Sequence, residues 1–503
     1  MSLDPVTLQV LVGALRAACD EMGAVLIRAA FSPNIKERHD CSTALFDSAG
    51  ELVMQAEHIP VHLGSMPDAV AAVLEEEQRP GDLWILNDPY RGGTHLPDIT
   101  LIAPVFASSG LLGFAASRAH HADVGGPTPA GMPAYSTTLD EEGVVIPPTR
   151  VDAEGLAELA AQMRRPRERR ADLLAQRSAI AVGERRLREL VDRHGEAELR
   201  EGMAEILDYA ERRTRARLAE LPDGSWSAED VLEGGHDGSE DVVLRVKATI
   251  NGDELRLDFA GTAPQVAGNL NCPLSVTKSA AFFSVRAMVD PDAPPSAGAH
   301  RPIEVAAPEG CLLHARPPAA VAAGNVETSS RVADLVISAL ADALDVPAQG
   351  QGTMNNLTLA GEGWTYYETI GGGQGACPHT DGPSAIHVAM SNTLNTPIEA
   401  LETDLPLRVR ELGVRRGSGG GGRSRGGDGI VRELEALAPM RFTWIAERRR
   451  HAPAGRDGGE DGEPGRDSLN GEALPSKVEG ELRPGDRLRI ETPGGGGLGR
   501  ADP

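Results

Sequence analysis

Apolar residues recur at Leu8, Leu11, Leu15, Met22, Leu26 and Ala29 behind an Asp4-Pro5 start that offers a capping carboxylate and a proline at the first helical position. This spacing predicts one long amphipathic helix. Residues 42–51, STALFDSAGE, alternate around a Ser-Ala-Gly turn and predict a β-hairpin that leads into LVMQAEHIPVHLGSM, with a short helix over 66–77 to follow. Short apolar runs at 82–86, 99–106 and 111–118, separated by turn-forming residues, predict strands. Between 152 and 221 the chain is rich in Arg, Glu, Ala and Leu at helical spacing with many opposite-charge pairs, which predicts a helical insert or subdomain. A second hairpin is expected within 228–260 around Asn251-Gly252-Asp253, and helices over 277–289 and 331–344. Past Arg415 come Gly-rich stretches, of which the acidic one over 454–468, AGRDGGEDGEPGRDS, reads as a mobile loop.

The fold class this pattern predicts is α+β. Four parts are expected: a mixed α/β part over 1–150 with the candidate chemistry, a helical segment over 151–225, a mixed central part over 226–415, and a Gly-rich, β-rich part over 416–503. With 41 % hydrophobic and 24 % charged residues, the 503-residue chain has the composition of a folded globular protein. Lys and Arg number 49 against 74 Asp and Glu, a net charge of -25 that repels nucleic-acid backbones and anionic membranes. Aromatic residues make up only 3 %, with no basic-aromatic stripe for stacking bases. No run of about 18 apolar residues offers a membrane span, and the Met1-Ser2-Leu3-Asp4 start lacks the basic and apolar regions of a secretory signal. Five scattered cysteines, none in a CxxC pair, fit neither a disulfide framework nor a thiolate zinc site, so a cytoplasmic setting is expected.

The chemistry concentrates in NDPYRGGTHLPDITLIAPVF and the following ASSGLLGFAASRAHHADVGG. A turn centred at Ser109 makes the numbers of facing residues sum to 218, so Asp98 faces His120 and His95 faces Asp123. Two imidazoles and a carboxylate brought together at one strand end suit Zn, Mn or Fe. His95, Asp98 and His120 are therefore the candidate ligands. A carboxylate beside such an ion can serve as an extra ligand or accept a proton from water, a role that falls to Asp123 or Asp40. His121 follows His120, points to the opposite face of an ideal strand, and joins the catalytic candidates in a supporting role.

KERHDCS and HIPVHLGS add Glu37, His39, Asp40, His58 and His62. Pro60 argues for extended chain between His58 and His62, so these two are read as pocket lining. Glu37, His62, Arg91 and Asn325, the last from GNVETSSR, are the candidate substrate contacts. Cys41 is read as a buried thiol. Neither RGSGGGGRSRGG nor IGGGQGACPHT fits a phosphate-binding G-x-x-x-x-G-K-[ST], so no ATP site is assigned to this chain.

In order and spacing, DPVTLQVLVGALRAACDEMGAVLIRAAFSPNIKERHDCSTALFD, HIPVHLGSM, NDPYRGGTHLPDITLIAPVF, AHHADVGG, DLLAQRSAI, DFAGTAPQVAGNLN, GNVETSSR, RSRGGDGI, LPSKVEGELRPGD and TPGGGGLG resemble the B-type subunits of the hydantoinase/oxoprolinase family. That family is related to the catalytic subunits of acetone and acetophenone carboxylases. The resemblance implies a hetero-oligomer in which an ATP-using A-type partner phosphorylates the substrate and this chain completes the reaction. Hydantoinase and oxoprolinase members open a cyclic amide with water; the carboxylases carboxylate an enol phosphate. Carboxylase members resemble this chain in a His-x-x-Asp and a following His that hold a divalent metal, implying that role for His95, Asp98 and His120. A noncatalytic scaffold for the partner is the reading from another class.

Overall fold

Asp4 accepts hydrogen bonds from the N–H groups of Val6 and Thr7 at the start of α1 (Pro5–Ala29), and Pro5 sits where no N–H is missed. Leu8, Leu11, Leu15, Met22 and Leu26 are buried along one face, while Ala29 is exposed and Ala30 buried in its stead. The computed structural model describes residues 3–501 except 58, 63 and 235–239, so His58 lies outside the described residues. After α1 comes the single turn α2 (Pro33–Lys36), which leads into a six-stranded antiparallel sheet. Its strands are β1 (Cys41–Asp47), β2 (Leu52–Glu57), β3 (Trp84–Leu86), β4 (Asp98–Ala107), β5 (Gly110–His120) and β6 (Thr149–Arg150), in the order β2-β1-β5-β4-β3-β6.

Both faces of this sheet are covered. The helix α3 (Met66–Leu74) packs with Trp84, Ile102 and Phe114 on one side. On the other, α1 shares a core with α4 (Ala153–Ala161), α5 (Pro166–His194) and α6 (Glu196–Leu218). Burial on both sides explains why β4 and β5 read as continuous apolar runs rather than alternating ones. The helices expected between 152 and 221 are present, and one continuous apolar core joins them to the first sheet.

The second sheet runs β10-β9-β8-β7, from β7 (Gly224–Leu232), β8 (Val242–Asn251), β9 (Glu254–Asp258) and β10 (Ile303–Ala306). Asn251 pairs with Glu254 across a two-residue turn in which Gly252 takes φ 62°, the turn its sequence implied. Helices α7 (Leu274–Val289) and α8 (Ser329–Ala339) pack on this sheet, and a π-helical turn, Gly324–Thr328, precedes α8. Two further sheets share a third core. One contains β11 (Asn356–Gly361), β12 (Trp364–Thr369), β15 (Met440–Ile445) and β18 (Lys477–Leu482), in the order β12-β11-β15-β18. The other contains β13 (Leu407–Arg415), β14 (Gly429–Ala436), β16 (Arg466–Leu469), β17 (Glu472–Ala473) and β19 (Arg487–Glu491), ordered β13-β14-β19-β16-β17, with α9 (Ile398–Asp404) before it.

The acidic stretch expected to be mobile is instead built into a stack of extended glycine segments. Glu460 N–H donates to the carbonyl of Gly421, Glu463 N–H to Ser418, and Gly497 N–H to Glu460, all at 2.7–2.8 Å. Gly495 N–H donates to Gly427, and Gly420 N–H to Gly495. Because these segments lack side chains, their backbones approach closely enough that a Cβ at Gly373, Gly426, Gly494 or Gly495 would overlap a neighbouring carbonyl. Among the described residues no helix is long and apolar enough to cross a membrane.

Candidate metal centre

The β4–β5 hairpin keeps the register in which facing numbers sum to 218 from Asp98–His120 to Val105–Gly113, and a bulge then absorbs the turn. Asp98 and His120 thus face each other at one end of the sheet. One cross-strand bond follows, from His121 N–H to the Pro97 carbonyl at 2.8 Å, and the ladder ends there because Pro97 has no N–H to return. The chain bends instead, with Asp98 N–H donating to the carbonyl of His95, and the His95 ring folds back so that Nε2 lies 3.3 Å from Asp98 Oδ2. One ligand-type atom from each of His95, Asp98 and His120 lies within 4.8 Å of the others, and all three side chains are buried.

Asp98 Oδ2 is the focus of the cluster. It accepts from Thr94 Oγ1 at 2.6 Å and from Asn325 Nδ2 at 3.4 Å, and His62 Nε2 stands 3.5 Å away. Burial pushes the Asp98 carboxyl up, but the imidazoles of His95 and His62 outweigh it and hold the group well below its ordinary value. For His95, burial favours the neutral ring, yet Asp98 and Asp40 together raise its pKa. Burial, reinforced by His95, drives His120 well below the usual imidazole value. Burial likewise lowers His62. The Asp40 carboxyl lines the same cavity and is pushed up to about 7 by burial, against the pull of Arg38.

Two aspects of this arrangement fit a cation. Nε2 of His120, Nδ1 of His95 and Oδ1 of Asn325 are buried without hydrogen-bond partners, and Nε2 of His95 and of His62 have only the Asp98 carboxylate at 3.3 and 3.5 Å, a combination that costs free energy unless something else pairs with the group. The donor set, imidazole nitrogen with carboxylate oxygen, suits Zn, Mn or Fe. The enclosed space measures 20 Å³, room for one ion or water. Asn34 in α2 sets its side-chain amide 3.1 Å from His120 Nδ1. The atom facing the ring is Nδ2, which donates to Nδ1 in this orientation; turning the amide over would put its oxygen there, let Nδ1–H donate and leave the Nε2 lone pair available to a metal.

Of the other residues singled out in the sequence, some converge here and some do not. Pro60 does not extend the chain but opens a 3₁₀ turn, Pro60–His62, as proline does at a first helical position. That turn brings His62 to Asp98 and lets Ser42 Oγ reach His62 Nδ1 at 2.9 Å. Asn325 arrives from the π-helical turn. Asp123 does not join the cluster: its Oδ1 accepts from Gly125 N–H at 2.9 Å and pairs with Arg164 at 3.3 Å. His121 faces away, with Nε2 2.9 Å from Gln176 Oε1, and burial lowers its pKa to about 4. Glu37 lines a different cavity, and Arg91 is exposed. Burial pushes the Cys41 thiol up, in keeping with an inert buried cysteine.

Sequence reasoning missed Tyr367 and Arg38. Tyr367 stacks on His120 with ring centroids 4.7 Å apart and planes 8° from parallel. Arg38, fully buried, donates from Nη1 to the Tyr367 carbonyl at 2.7 Å and from Nη2 to Thr369 and Thr393. Its place inside KERHDCS was the available signal; nothing local marked Tyr367.

A family model described as hydantoinase B/oxoprolinase matches residues 4–501. The chain belongs to this family. It is 38 % identical over 516 residues to 5-oxoprolinase 1 of Arabidopsis thaliana, covering 95 % of this chain but 40 % of that protein, so it spans about two fifths of that relative's length. Among solved structures it is similar to the ATP-dependent caprolactamase of Pseudomonas jessenii, with TM-score 0.93 and 30 % identity over 99 % of this chain and 92 % of the other. Similarity to an acetone carboxylase, TM-score 0.88 at 19 % identity over 99 % and 76 % of the two chains, concerns the fold alone.

Proposed function

We propose that this family member is the B-type subunit of a cytoplasmic, hetero-oligomeric, ATP-dependent amidohydrolase that opens a cyclic amide of the hydantoin or 5-oxoproline type. In this reading an A-type partner uses ATP to activate the substrate by phosphorylation, and this chain completes the hydrolysis. The observation that carries it is the buried His95–Asp98–His120 group with its unpartnered imidazole nitrogens. A divalent Zn, Mn or Fe ion there would supply Lewis acidity toward the activated carbonyl.

The chain's own residues supply the rest. Thr94 fixes Asp98 and Asn34 fixes His120, which holds both ligands in one orientation. Asp40 lines the same cavity without belonging to the ligand group; with its pKa near 7 it is suited to accept a proton from the attacking water. Asn325 Oδ1 has no hydrogen-bond partner and is available to a water held in this small cavity. Access fits through a neighbouring pocket of 380 Å³, lined by Arg286, His387 and Asn392, which shares Ser391 with the cavity of the cluster.

Elemental analysis of the wild type beside His120→Ala, paired with ATP-coupled turnover in the presence of the A-type partner, tests the reading. Near-stoichiometric Zn, Mn or Fe that is lost in the variant, together with ATP hydrolysis that depends on a cyclic amide, is the expected result. Equal metal in both proteins, or unchanged turnover in the variant, overturns the metal-centred role and favours a scaffold. ATP consumption that requires bicarbonate and a ketone would instead assign the carboxylase chemistry.

A further inference from the structure

Across α2 and β12 from the metal cluster lies a second cavity, of 580 Å³, that the proposed reaction does not use. The two cavities stand back to back. Because side chains alternate along β12, Tyr367 stacks on His120 while its neighbour Tyr366 lines the second cavity. The α2 turn divides its residues in the same way, with Asn34 against His120 and Lys36 on the cavity side.

The wall of this cavity carries a buried cation with unused donors. Arg169 is 1 % exposed; its Nη2 lies 3.2 Å from Asp172 Oδ2, but Nε and Nη1 have no hydrogen-bond partner. Ser32, equally buried and also on the wall, has an unpartnered Oγ. Asp172 is already engaged, since its Oδ1 accepts from the N–H groups of Phe31 and Ser32. Unpaired N–H groups on a buried guanidinium are costly, and a ligand carboxylate is the group best matched to them. Glu168 is shared between Arg165, its closer partner, and Arg169, whose Nη2 lies 3.7 Å from Glu168 Oε2, so both ion pairs of Arg169 use Nη2 and leave Nε and Nη1 to a ligand. The remaining ionic residues of the wall are Lys36, Glu37 and Asp404, so that with Arg165, Glu168 and Arg169 it carries three charges of each sign, a balance that suits a ligand bearing both a carboxylate and an ammonium group.

We propose that this cavity binds a small zwitterionic amino acid, with its carboxylate at Arg169, Ser32 and Lys36, its ammonium at Glu37 and Asp404, and its chain along Trp364. The choice of ligand class rests on the proposed reaction in one respect. When water opens a lactam such as 5-oxoproline the C–N bond breaks, the water oxygen joins the carbonyl carbon and both water protons end on nitrogen, so the product bears a carboxylate and an ammonium; a hydantoin would instead give a carbamoyl amino acid whose nitrogen stays neutral.

The test is titration of the full-length chain with 6-aminohexanoate and with glutamate, followed by calorimetry and by tryptophan fluorescence, with hexanoate and inorganic phosphate as controls. At least one amino acid is expected to bind saturably, more than tenfold tighter than either control. Arg169→Gln should weaken binding at least tenfold; Asp404→Asn, a change at an exposed position, gives a second variant whose fold is not at stake and should also weaken it. Trp364→Phe should remove the fluorescence change and leave the calorimetric signal. His120→Ala should leave binding intact, which separates this site from the metal cluster and from the fate of the proposed reaction. Absence of saturable binding, equal binding of hexanoate or phosphate, or binding lost in His120→Ala but unaffected in Arg169→Gln and Asp404→Asn would overturn the proposal.

Discussion

Gly462 lies inside the acidic stretch that composition marks as a mobile loop, and its replacement by alanine separates mobility from packing by the sign of the effect. A Cβ at this position would sit 2.7 Å from the carbonyl oxygens of both Gly494 and Gly495, whereas carbon and oxygen rest at about 3.3 Å or more. Its φ is not in the left-handed region, so sterics alone decide. The segments that would have to yield are fixed by hydrogen bonds from Gly462 N–H to Pro453, from Gly494 N–H to Glu463 and from Gly495 N–H to Gly427. Overpacking of this kind costs about 1–3 kcal/mol, and each buried hydrogen bond broken to relieve it adds about 1–3 kcal/mol. With one such bond broken the expected loss is about 2–6 kcal/mol, a sizeable part of a typical domain stability of roughly 5–15 kcal/mol. In a mobile loop the same change would instead stabilise by about 0.4–1 kcal/mol, through the unfolded chain. Urea unfolding followed by circular dichroism, with Gly413→Ala as control because no atom lies within 4 Å of its Cβ, reads the difference. A wild-type or raised midpoint for Gly462→Ala would refute the packing argument.

Two other perturbations probe the site and its surroundings. Asn34→Leu removes the amide that orients His120 and should weaken metal affinity by about 10–100-fold without abolishing it, measured by competition with a chromophoric chelator; unchanged affinity would show that the ring is held by Tyr367 alone. His300 is stacked on Phe282 and kept neutral, with a pKa of about 3, first by burial and then by Arg286. Because the unfolded chain takes up the proton near pH 6.5 and the folded chain does not, the stability His300 contributes is complete above pH 6.5 and is lost as pH falls toward 3. The loss is about 1.4 kcal/mol per pH unit. His300→Phe should flatten the stability profile between pH 6 and pH 4 relative to wild type, and an unchanged slope would show that His300 does not titrate with folding.

The parts of the fold that follow from local rules were legible in the sequence. Asp4-Pro5, the apolar face of α1, the turn at Asn251-Gly252-Asp253 and the β4–β5 register are set by capping, helical period and turn chemistry within a few residues of each other. The register placed Asp98 opposite His120, but it could not carry His95 and Asp123 to the same end. That step assumes the ladder continues, and Pro97 ends it. Asn325 and Tyr367 reach the cluster from more than 200 residues away, and nothing in their own neighbourhoods encodes that arrival. The glycine stack escaped for a different reason. It is held by backbone hydrogen bonds between extended segments, which leave no hydrophobic period to detect and resemble a flexible linker in composition.

The cluster is a junction between separately cored regions, and Arg38 ties that junction together. Asp40, His95, Asp98 and His120 belong to the first sheet and the loops that lead into it, Asn325 to the turn before α8, and Tyr367 to β12 of the third sheet. A misplacement of these regions by about 1 Å would undo the geometry a catalytic site requires. Arg38 is positioned to prevent it. Leaving α2, it reaches the Tyr367 carbonyl, Thr369 and Thr393, and its guanidinium lies 5.4 Å from the centre of the Tyr367 ring that stacks on His120. Burying a cation is expensive, and Arg38 is engaged at both terminal nitrogens while its Nε has no hydrogen-bond partner. Here its partners are neutral oxygens and an aromatic face rather than a carboxylate bonded to it, so the positive charge is left to act on its surroundings. It opposes the rise in the Asp40 pKa and adds to the burial that keeps His120 neutral. One side chain thus fixes the position of β12 against the cluster and favours the protonation states, a neutral imidazole and an ionisable carboxylate, that a metal-assisted hydrolysis needs.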